Sequence, residues 1–364
     1  MSRSTMHVII NLNGGGAERL LTNLLTQRST SNGHEYVVCL QGEGVFRSSL
    51  ESSGVEVIDL GMSRRRNALA ALFKLTKLIH KRRPAVVQGW MYNANVFSSL
   101  ALLLAGRRET QLLWGIFCSD TCANQDMRKN LFPILGRFFS PYVDGVIYNA
   151  VQSRDFHRSF GFREPRSLVV PNCVDTKTFY RDPGLRQPVR LELGIPEDAI
   201  IVIVVARVDP MKNWDGVLAA IRDIPGIFTV GVGEGTDELP PQPGFIGLGW
   251  CDDVQRLLSA ADIFLLASAF GEGTSVALVE AMACSLPCVV TNVGGNGTFI
   301  DGAGIVVPPR QIEPIREALL RLAVDSGLRE RMGRTARARI ASGHTADDVA
   351  TMFKVFSSQA GGVQ

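Results

Sequence analysis

The sequence lacks a long uncharged apolar run, since no stretch reaches the roughly 18 residues that a membrane-spanning helix needs. Met1 to Met6 also lack the apolar core of a secretory signal peptide. The seven cysteines, an odd number without a CxxC pair, argue against a disulfide framework, and only five histidines are available for metal binding. We therefore predict a cytoplasmic chain without a structural zinc site.

The apolar residues that are present fall into short runs separated by helical patterns. Of the 364 residues, 46% are hydrophobic and 20% are charged, a size and composition typical of about two globular domains. Runs such as His7 to Leu12 and Ile200 to Ala206 alternate with helices, which predicts βαβ units and parallel sheets. We expect two doubly wound α/β domains, 1–178 and 179–345, and a final helix within 346–364 that packs back on the first domain.

Positive charge is concentrated in the first half of the chain. Residues 1–180 contain 22 Lys and Arg against 13 Asp and Glu, a net charge of +9, whereas residues 181–364 contain 16 against 22, a net charge of −6. The asymmetry indicates either a first domain that meets an anionic partner or a soluble surface whose charges are unevenly spread.

Two glutamates separated by seven residues, Glu272 and Glu280, mark the most informative segment. Gly271 and Gly273 allow a tight turn, and the run that follows predicts a short helix. Such a turn directs backbone N–H groups and the positive end of a helix at a phosphate. A carboxylate at each end of this cradle suits a sugar nucleotide.

Other motifs follow predicted strands. A glycine-rich loop, Asn13 to Arg19, comes after the first strand and opens a helix. Arg207 and Lys212 follow the first strand of the second domain, where two cations are suited to neutralise a diphosphate. Gly231 to Gly235 form a glycine-rich strand exit.

In this order and spacing, the motifs resemble those of the family 4 GT-B glycosyltransferases, retaining enzymes that use nucleotide-activated sugars. The resemblance covers nearly the whole chain, including Val170 to Asp175 and Thr291 to Gly295. It implies a GT-B fold, in which two Rossmann-like domains with doubly wound parallel sheets face each other across a cleft. The first domain of such a fold binds the acceptor and the second binds the nucleotide sugar.

The resemblance also implies roles for particular residues. Arg207 and Lys212 bind the diphosphate, Glu272 holds hydroxyls of the donor sugar and Glu280 holds the ribose. Arg207, Lys212 and Glu272 form the predicted catalytic set. The donor-binding set comprises Gly15, Gly16, Gly233, Trp250, Cys251, Gly273, Thr274, Ser275 and Glu280. We expect no metal and no cofactor, only a nucleoside-diphosphate sugar, UDP- or GDP-linked, as substrate.

The chain departs from the family pattern on the acceptor side. Many relatives carry histidines after the strand that corresponds to Val86 and Val87, but residues 88–95 contain none. Trp90 or Asn93 is the candidate for that place. Cys173 and Ser285 stand where glycine is usual, which costs about 1 kcal/mol at each position if its φ is positive.

A one-sided basic segment precedes that strand. Lys74, Lys77 and Lys81 recur at helical spacing, and residues 61–110 contain 10 basic residues and one acidic residue. The segment predicts contact with a membrane surface or a pyrophosphate lipid, and a solvated helix face is the alternative.

We therefore predict a peripheral enzyme on the inner face of the plasma membrane, acting in polysaccharide biosynthesis. It is expected to transfer a hexose to a glycan on a polyprenyl-pyrophosphate lipid, with retention and without a metal. A nucleic-acid partner is not expected. Two alternatives remain: a GT-B-like epimerase or hydrolase of the sugar nucleotide, and a catalytically silent subunit that binds the donor.

Overall fold

A computed structural model describes residues 4–26, 34–42, 44–63, 67–119 and 131–358. The chain divides into two compact units, with boundaries between Asn172 and Cys173 and between Thr345 and Ala346. The first unit therefore combines described residues up to Asn172 with those of 346–358. Within the described ranges, no helix is both long and apolar enough to cross a bilayer.

The first unit is built on a parallel sheet. Its strands are β1 (Thr5–Ile9), β2 (Glu35–Cys39), β3 (Glu56–Asp59), β4 (Val86–Trp90), β5 (Gln111–Ile116), β6 (Gly145–Tyr148) and β7 (Ser167–Val169). Its helices are α1 (Gly16–Thr26), α2 (Arg47–Ser52), α3 (Ala68–Arg82), α4 (Met91–Ala105), α5 (Leu131–Phe139) and α6 (Val151–Phe160). The strand order is β3-β2-β1-β4-β5-β6-β7, so the direction of winding reverses between β1 and β4. All residues of β4 and β6 are buried, because helices cover both faces of the sheet.

The second unit repeats this plan with fewer strands. They are β8 (Ile200–Val205), β9 (Ile227–Val232), β10 (Phe245–Gly247), β11 (Ile263–Leu266), β12 (Cys288–Thr291) and β13 (Gly304–Val307). The helices are α7 (Pro183–Glu192), α8 (Trp214–Ile221), α9 (Val254–Ala260), α10 (Val276–Ala283), α11 (Asn296–Phe299), α12 (Ile312–Val324) and α13 (Ser326–Ala341). The order β10-β9-β8-β11-β12-β13 reverses between β8 and β11. The predicted α/β class with two parallel sheets is confirmed.

The last helix, α14 (Ala346–Ser358), returns to the first unit and contacts α1. The ring of Phe353 stacks on that of Trp90, with centroids 6.3 Å apart and planes inclined by 7°. Arg166 donates a hydrogen bond of 2.8 Å to the carbonyl of Phe356, and its guanidinium lies over the Phe356 ring. Aromatic stacking and a cation–π contact thus attach this helix to the sheet of the first unit.

Cys173 and Ser285, the two positions where the family pattern usually has glycine, differ in backbone conformation. Ser285 follows the C-terminus of α10 with φ +59°, a left-handed conformation that costs a side-chain-bearing residue about 1–2 kcal/mol. Cys173 does not have a positive φ. Of these two positions, only Ser285 therefore has the backbone strain that arises when a residue with a side chain replaces glycine.

Candidate active site

The carboxyl ends of four strands of the second unit meet at one edge of the sheet, at the reversal between β8 and β11. Open parallel sheets bind ligands at this kind of switch point. Backbone hydrogen bonds tie the strand exits together, from Val208 N to Glu234 O (2.8 Å), Ala269 N to Met211 O (2.8 Å) and Gly295 N to Gly273 O (2.8 Å). The predicted cationic segment, glycine-rich exit and two-glutamate loop are therefore neighbours in space.

Lys212 and Glu272 form an ion pair at the centre of this edge. Lys212 Nζ contacts Glu272 Oε1, and the side chains are only 15% and 8% exposed. The Ser268 hydroxyl donates a second hydrogen bond of 2.7 Å to the same carboxylate oxygen. Thr291 in turn donates to the carbonyl of Ser268 at 2.6 Å. The pair is therefore held in a defined position by two strand exits, and its attraction is strengthened by exclusion of water.

Arg207 is held differently. Its side chain is 53% exposed and its guanidinium lies 3.3 Å from Asp209 Oδ2, an ion pair of the weak surface kind. Its carbonyl accepts a hydrogen bond of 3.0 Å from Trp214 Nε1, so the backbone is fixed while the side chain reaches solvent. A phosphate that approaches this edge can therefore recruit the guanidinium at little cost.

The loop between the two glutamates is anchored by the turn after β12. The Ser275 N–H donates to Asn296 Oδ1 at 3.0 Å, and Asn296 is fully buried. Gly294 has φ +59°, and a Cβ there would lie 1.9 Å from the carbonyl oxygen of Glu272. Ser275 occupies the N-cap position of α10, but its own side chain makes no capping hydrogen bond. The sequence analysis did not single out Asn296, although this residue directly follows the motif Thr291 to Gly295.

Glu280 lies on α10 and is completely buried. Burial raises the pKa of the neighbouring Cys284 thiol to about 12, and the carboxylate of Glu280 adds to this rise. Cys284 is therefore an uncharged packing residue. The ribose-binding role of Glu280 stays a prediction.

The predicted nucleotide-side residues lie around the exit of β9. Gly233 has φ +136°, and a Cβ there would lie 2.5 Å from the carbonyl oxygen of Ala206. Its N–H donates to the Gly249 carbonyl at 2.7 Å, which brings Trp250 and the partly buried Cys251 close to the exit. Trp250 is 45% exposed, and its Nε1 donates to Asp252 at 2.9 Å. An exposed indole with a fixed edge is suited to stack on a base.

In the first unit, the glycine-rich loop leads into α1. A Cβ on Gly15 would lie 2.2 Å from Glu18 Oε2, so the Glu18 carboxylate lies directly over this glycine. Gly16 is the first residue of α1. The loop therefore already carries an anionic group at the helix N-terminus, where the helix dipole favours it.

Trp90 and Asn93, predicted for the acceptor side, have different environments. Trp90 is completely buried, donates from Nε1 to His7 Nδ1 at 3.1 Å and packs against Phe117 with ring centroids 5.0 Å apart. Its surroundings are those of a packing residue, because a side chain without exposed surface is not available to an acceptor. Asn93 is partly buried in the first turn of α4.

The three lysines predicted to face a membrane lie exposed on α3. Lys74 Nζ also donates to the Leu60 carbonyl at 2.9 Å. Leu69 and Phe73 on the same helix are 73% and 65% exposed. The exposed part of α3 therefore combines cations with apolar side chains, a composition typical of interfacial helices.

Among the residues that the structure describes, no group of three or more His, Cys, Asp or Glu side chains is arranged to hold a metal ion. Two long segments of the sequence match known families. Residues 14–178 match the family described as Glycosyltransferase Family 4, and residues 186–339 match the family described as Glycosyl transferases group 1.

Curated relatives match only part of the chain. A UDP-Gal:alpha-D-GlcNAc-diphosphoundecaprenol alpha-1,3-galactosyltransferase of Escherichia coli is 34% identical over 98 residues, which are 26% of this chain and 25% of that protein. A D-inositol 3-phosphate glycosyltransferase of Saccharomonospora viridis is 28% identical over 181 residues, 41% of this chain and 40% of its own length. The matched segments thus span well under half of these relatives.

Solved structures match almost the entire chain. Anabaena HepE in complex with UDP and glucose superimposes with a TM-score of 0.87 at 18% identity, covering 98% of this chain and all of HepE. WaaG, a glycosyltransferase involved in lipopolysaccharide biosynthesis, gives a TM-score of 0.74 at 17% identity over 99% of this chain and 100% of its own. With both units matched to the family and the fold matched over nearly its full length, the chain belongs to the family 4 glycosyltransferases of the GT-B fold.

Proposed function

We propose that this glycosyltransferase moves a hexose, with retention of configuration, from a nucleoside-diphosphate donor to a glycan carried on a polyprenyl-pyrophosphate lipid. The observation that carries the proposal is the Lys212–Glu272 pair at the switch point of the second sheet, where Lys212 and Arg207 belong to the same strand exit. This ion pair places a cation suited to a diphosphate next to a carboxylate suited to sugar hydroxyls.

The donor site needs no metal in this proposal. When the bond between the sugar carbon and the phosphate oxygen breaks, negative charge grows on the leaving diphosphate. Lys212, which is fixed by Glu272, and the more exposed Arg207 would stabilise this charge. In a same-face attack, the acceptor oxygen forms the new bond while its proton passes to the leaving phosphate. The donor would be UDP- or GDP-linked, and the UDP bound to HepE favours the former.

The acceptor assignment rests on two observations. The Escherichia coli relative, by its name, acts on a sugar linked to diphosphoundecaprenol. The exposed part of α3 presents Lys74, Lys77 and Lys81 together with Leu69 and Phe73, which suits anionic headgroups. The enzyme would then act peripherally on the inner face of the plasma membrane.

The proposal is tested by a transfer screen with EDTA present. UDP- and GDP-linked hexoses are offered together with N-acetylglucosaminyl diphosphate on an undecyl chain, and proton NMR identifies the product and its anomer. We expect one donor to yield an axial product from an axial donor. Donor turnover without acceptor would instead indicate a hydrolase or epimerase, and donor binding without any turnover would indicate a silent subunit.

The membrane contact is tested by replacing Lys74, Lys77 and Lys81 together with glutamine. We expect binding to anionic vesicles to weaken by about 3 kcal/mol, since each cation near such a surface contributes about 1 kcal/mol. Vesicle sedimentation at two salt concentrations measures this, and wild-type binding should fall as salt screens the attraction. Replacing the exposed Arg321, Arg331 and Arg334, on α12 and α13 of the second unit, with glutamine is the matched control. If the α3 variant and the wild type bind vesicles equally, the three lysines lie on an ordinary solvated helix face and make no membrane contact.

A further inference from the structure

The first unit carries a buried polar cluster at the carboxyl ends of three adjacent strands. Tyr92 lies in the first turn of α4 after β4, Cys118 follows β5, and His157 lies on α6 after β6. The Tyr92 hydroxyl contacts His157 Nε2, and Cys118 Sγ lies 3.4 Å from the same hydroxyl. His157 has no exposed surface, whereas Tyr92 is only partly buried. The cluster adjoins the reversal between β1 and β4, the position where such sheets bind ligands.

The contacts of His157 fix the direction of each hydrogen bond. His157 Nδ1 lies 2.6 Å from the Ser153 carbonyl, which only accepts, so Nδ1 carries the proton. His157 Nε2 is then an acceptor, and the Tyr92 hydroxyl donates to it. Burial lowers the pKa of His157 to about 4, which keeps the ring neutral near pH 7. The imidazole therefore accepts the Tyr92 hydroxyl proton, and the phenolic oxygen in turn serves as an acceptor, as it does for Cys118.

Strain in the backbone supports a functional reading of this turn. Met91, between β4 and Tyr92, has φ +68°, a conformation that side-chain-bearing residues rarely adopt. Its sulfur accepts a hydrogen bond of 3.4 Å from the Phe117 N–H, which ties the turn to the exit of β5. Residues held in such conformations concentrate at functional sites.

We infer that Tyr92 receives a hydrogen bond from a hydroxyl of the acceptor sugar, and that His157 is a positioning residue that acts through Tyr92. A thiol is a weak donor, so a sugar hydroxyl can replace Cys118 on the phenolic oxygen. This inference rests on the proposed transfer function. It moves the acceptor contact from Trp90, which is buried, to the next aromatic residue of the same turn.

The test uses UDP-galactose and N-acetylglucosaminyl diphosphate on an undecyl chain, or the hexose donor selected by the screen. Tyr92→Phe should raise the acceptor KM by about 10-fold with a smaller change in kcat, because one hydrogen bond to the acceptor is lost. The donor KM should not change. Tyr148→Phe is the matched control, since this buried tyrosine packs on the same imidazole with ring centroids 5.7 Å apart but has no exposed surface.

A double-mutant cycle separates positioning from general support of the fold. His157→Leu should raise the acceptor KM in the wild type but add nothing in the Tyr92→Phe background, whereas a structural role would give effects that multiply. His157→Gln, which keeps an acceptor atom, should recover part of the loss and remains informative if His157→Leu does not fold. Multiplying effects, or a Tyr92→Phe variant with wild-type acceptor KM, would overturn the inference. A wild-type protein that transfers no sugar would instead refute the proposed function.

Discussion

Replacing Lys212 with methionine is expected to lower kcat/KM for the donor by about 100-fold, the scale on which one preorganised donor to developing charge contributes. The same change should lower the free energy of unfolding by about 1–3 kcal/mol, because it leaves the Glu272 carboxylate, only 8% exposed, without its cation. Steady-state kinetics and chemical denaturation measure the two effects separately.

Arg207→Met is the matched control for Lys212. The Arg207 side chain is 53% exposed and its partner Asp209 reaches solvent, so activity should fall similarly while stability stays within about 0.5 kcal/mol of wild type. Adding Glu272→Gln to Lys212→Met should restore stability without restoring activity, because the buried charge is then removed. Stability loss in the Arg207 variant, or full activity in either single variant, would contradict the roles assigned here.

Gly294→Ala is expected to abolish most of the activity, by about 100-fold or more, because a displacement of about 1 Å is enough for such a loss. The new Cβ would lie 1.9 Å from the Glu272 carbonyl oxygen, which forces the loop to move. Loss of the Gly295–Gly273 hydrogen bond would follow, and stability should fall as well.

Gly302→Ala separates this clash from the effect of backbone conformation. Gly302 also has a positive φ, +74°, but its Cβ would meet only Thr335 Cγ2, at 3.5 Å. We expect a cost of about 1 kcal/mol in stability and normal kinetics. Equal loss of activity in Gly294→Ala and Gly302→Ala would contradict the proposed anchoring of the donor loop by the Gly294 turn.

The sequence predicted the sheets because their signal is local. Short apolar runs at βαβ spacing identify parallel strands wherever both faces are covered, and the motifs at strand ends then converge on one edge of a sheet. Arg207, Lys212 and Glu272 all follow strands of the second unit, so their positions in the sequence predict the same edge of the sheet. Their roles toward a donor come from the resemblance to the family.

Contacts between distant residues could not be predicted in this way. Lys212 pairs with Glu272 across 60 positions, and Tyr92 meets His157 across 65. Neither pairing has a local pattern. The burial of Trp90 was hidden for another reason: every residue of β4 is buried, so the strand shows no alternation that would assign its last side chain to a face. Asn296 was missed because its amide contacts a loop 21 positions earlier.

Two carboxylates of one sugar-nucleotide site are assigned different ligands, ribose for Glu280 and the donor sugar for Glu272, and calorimetric titration tests this assignment most directly. UDP or GDP, whichever binds, and the matching hexose donor are titrated into the wild type, Glu280→Gln and Glu272→Gln. We predict that Glu280→Gln weakens binding of the free nucleotide by about 1–3 kcal/mol, since a charge-assisted bond to ribose is lost. Glu272→Gln should leave nucleotide binding nearly intact and weaken only the sugar-bearing donor. The opposite pattern, or a wild type that binds neither nucleotide, would contradict the account.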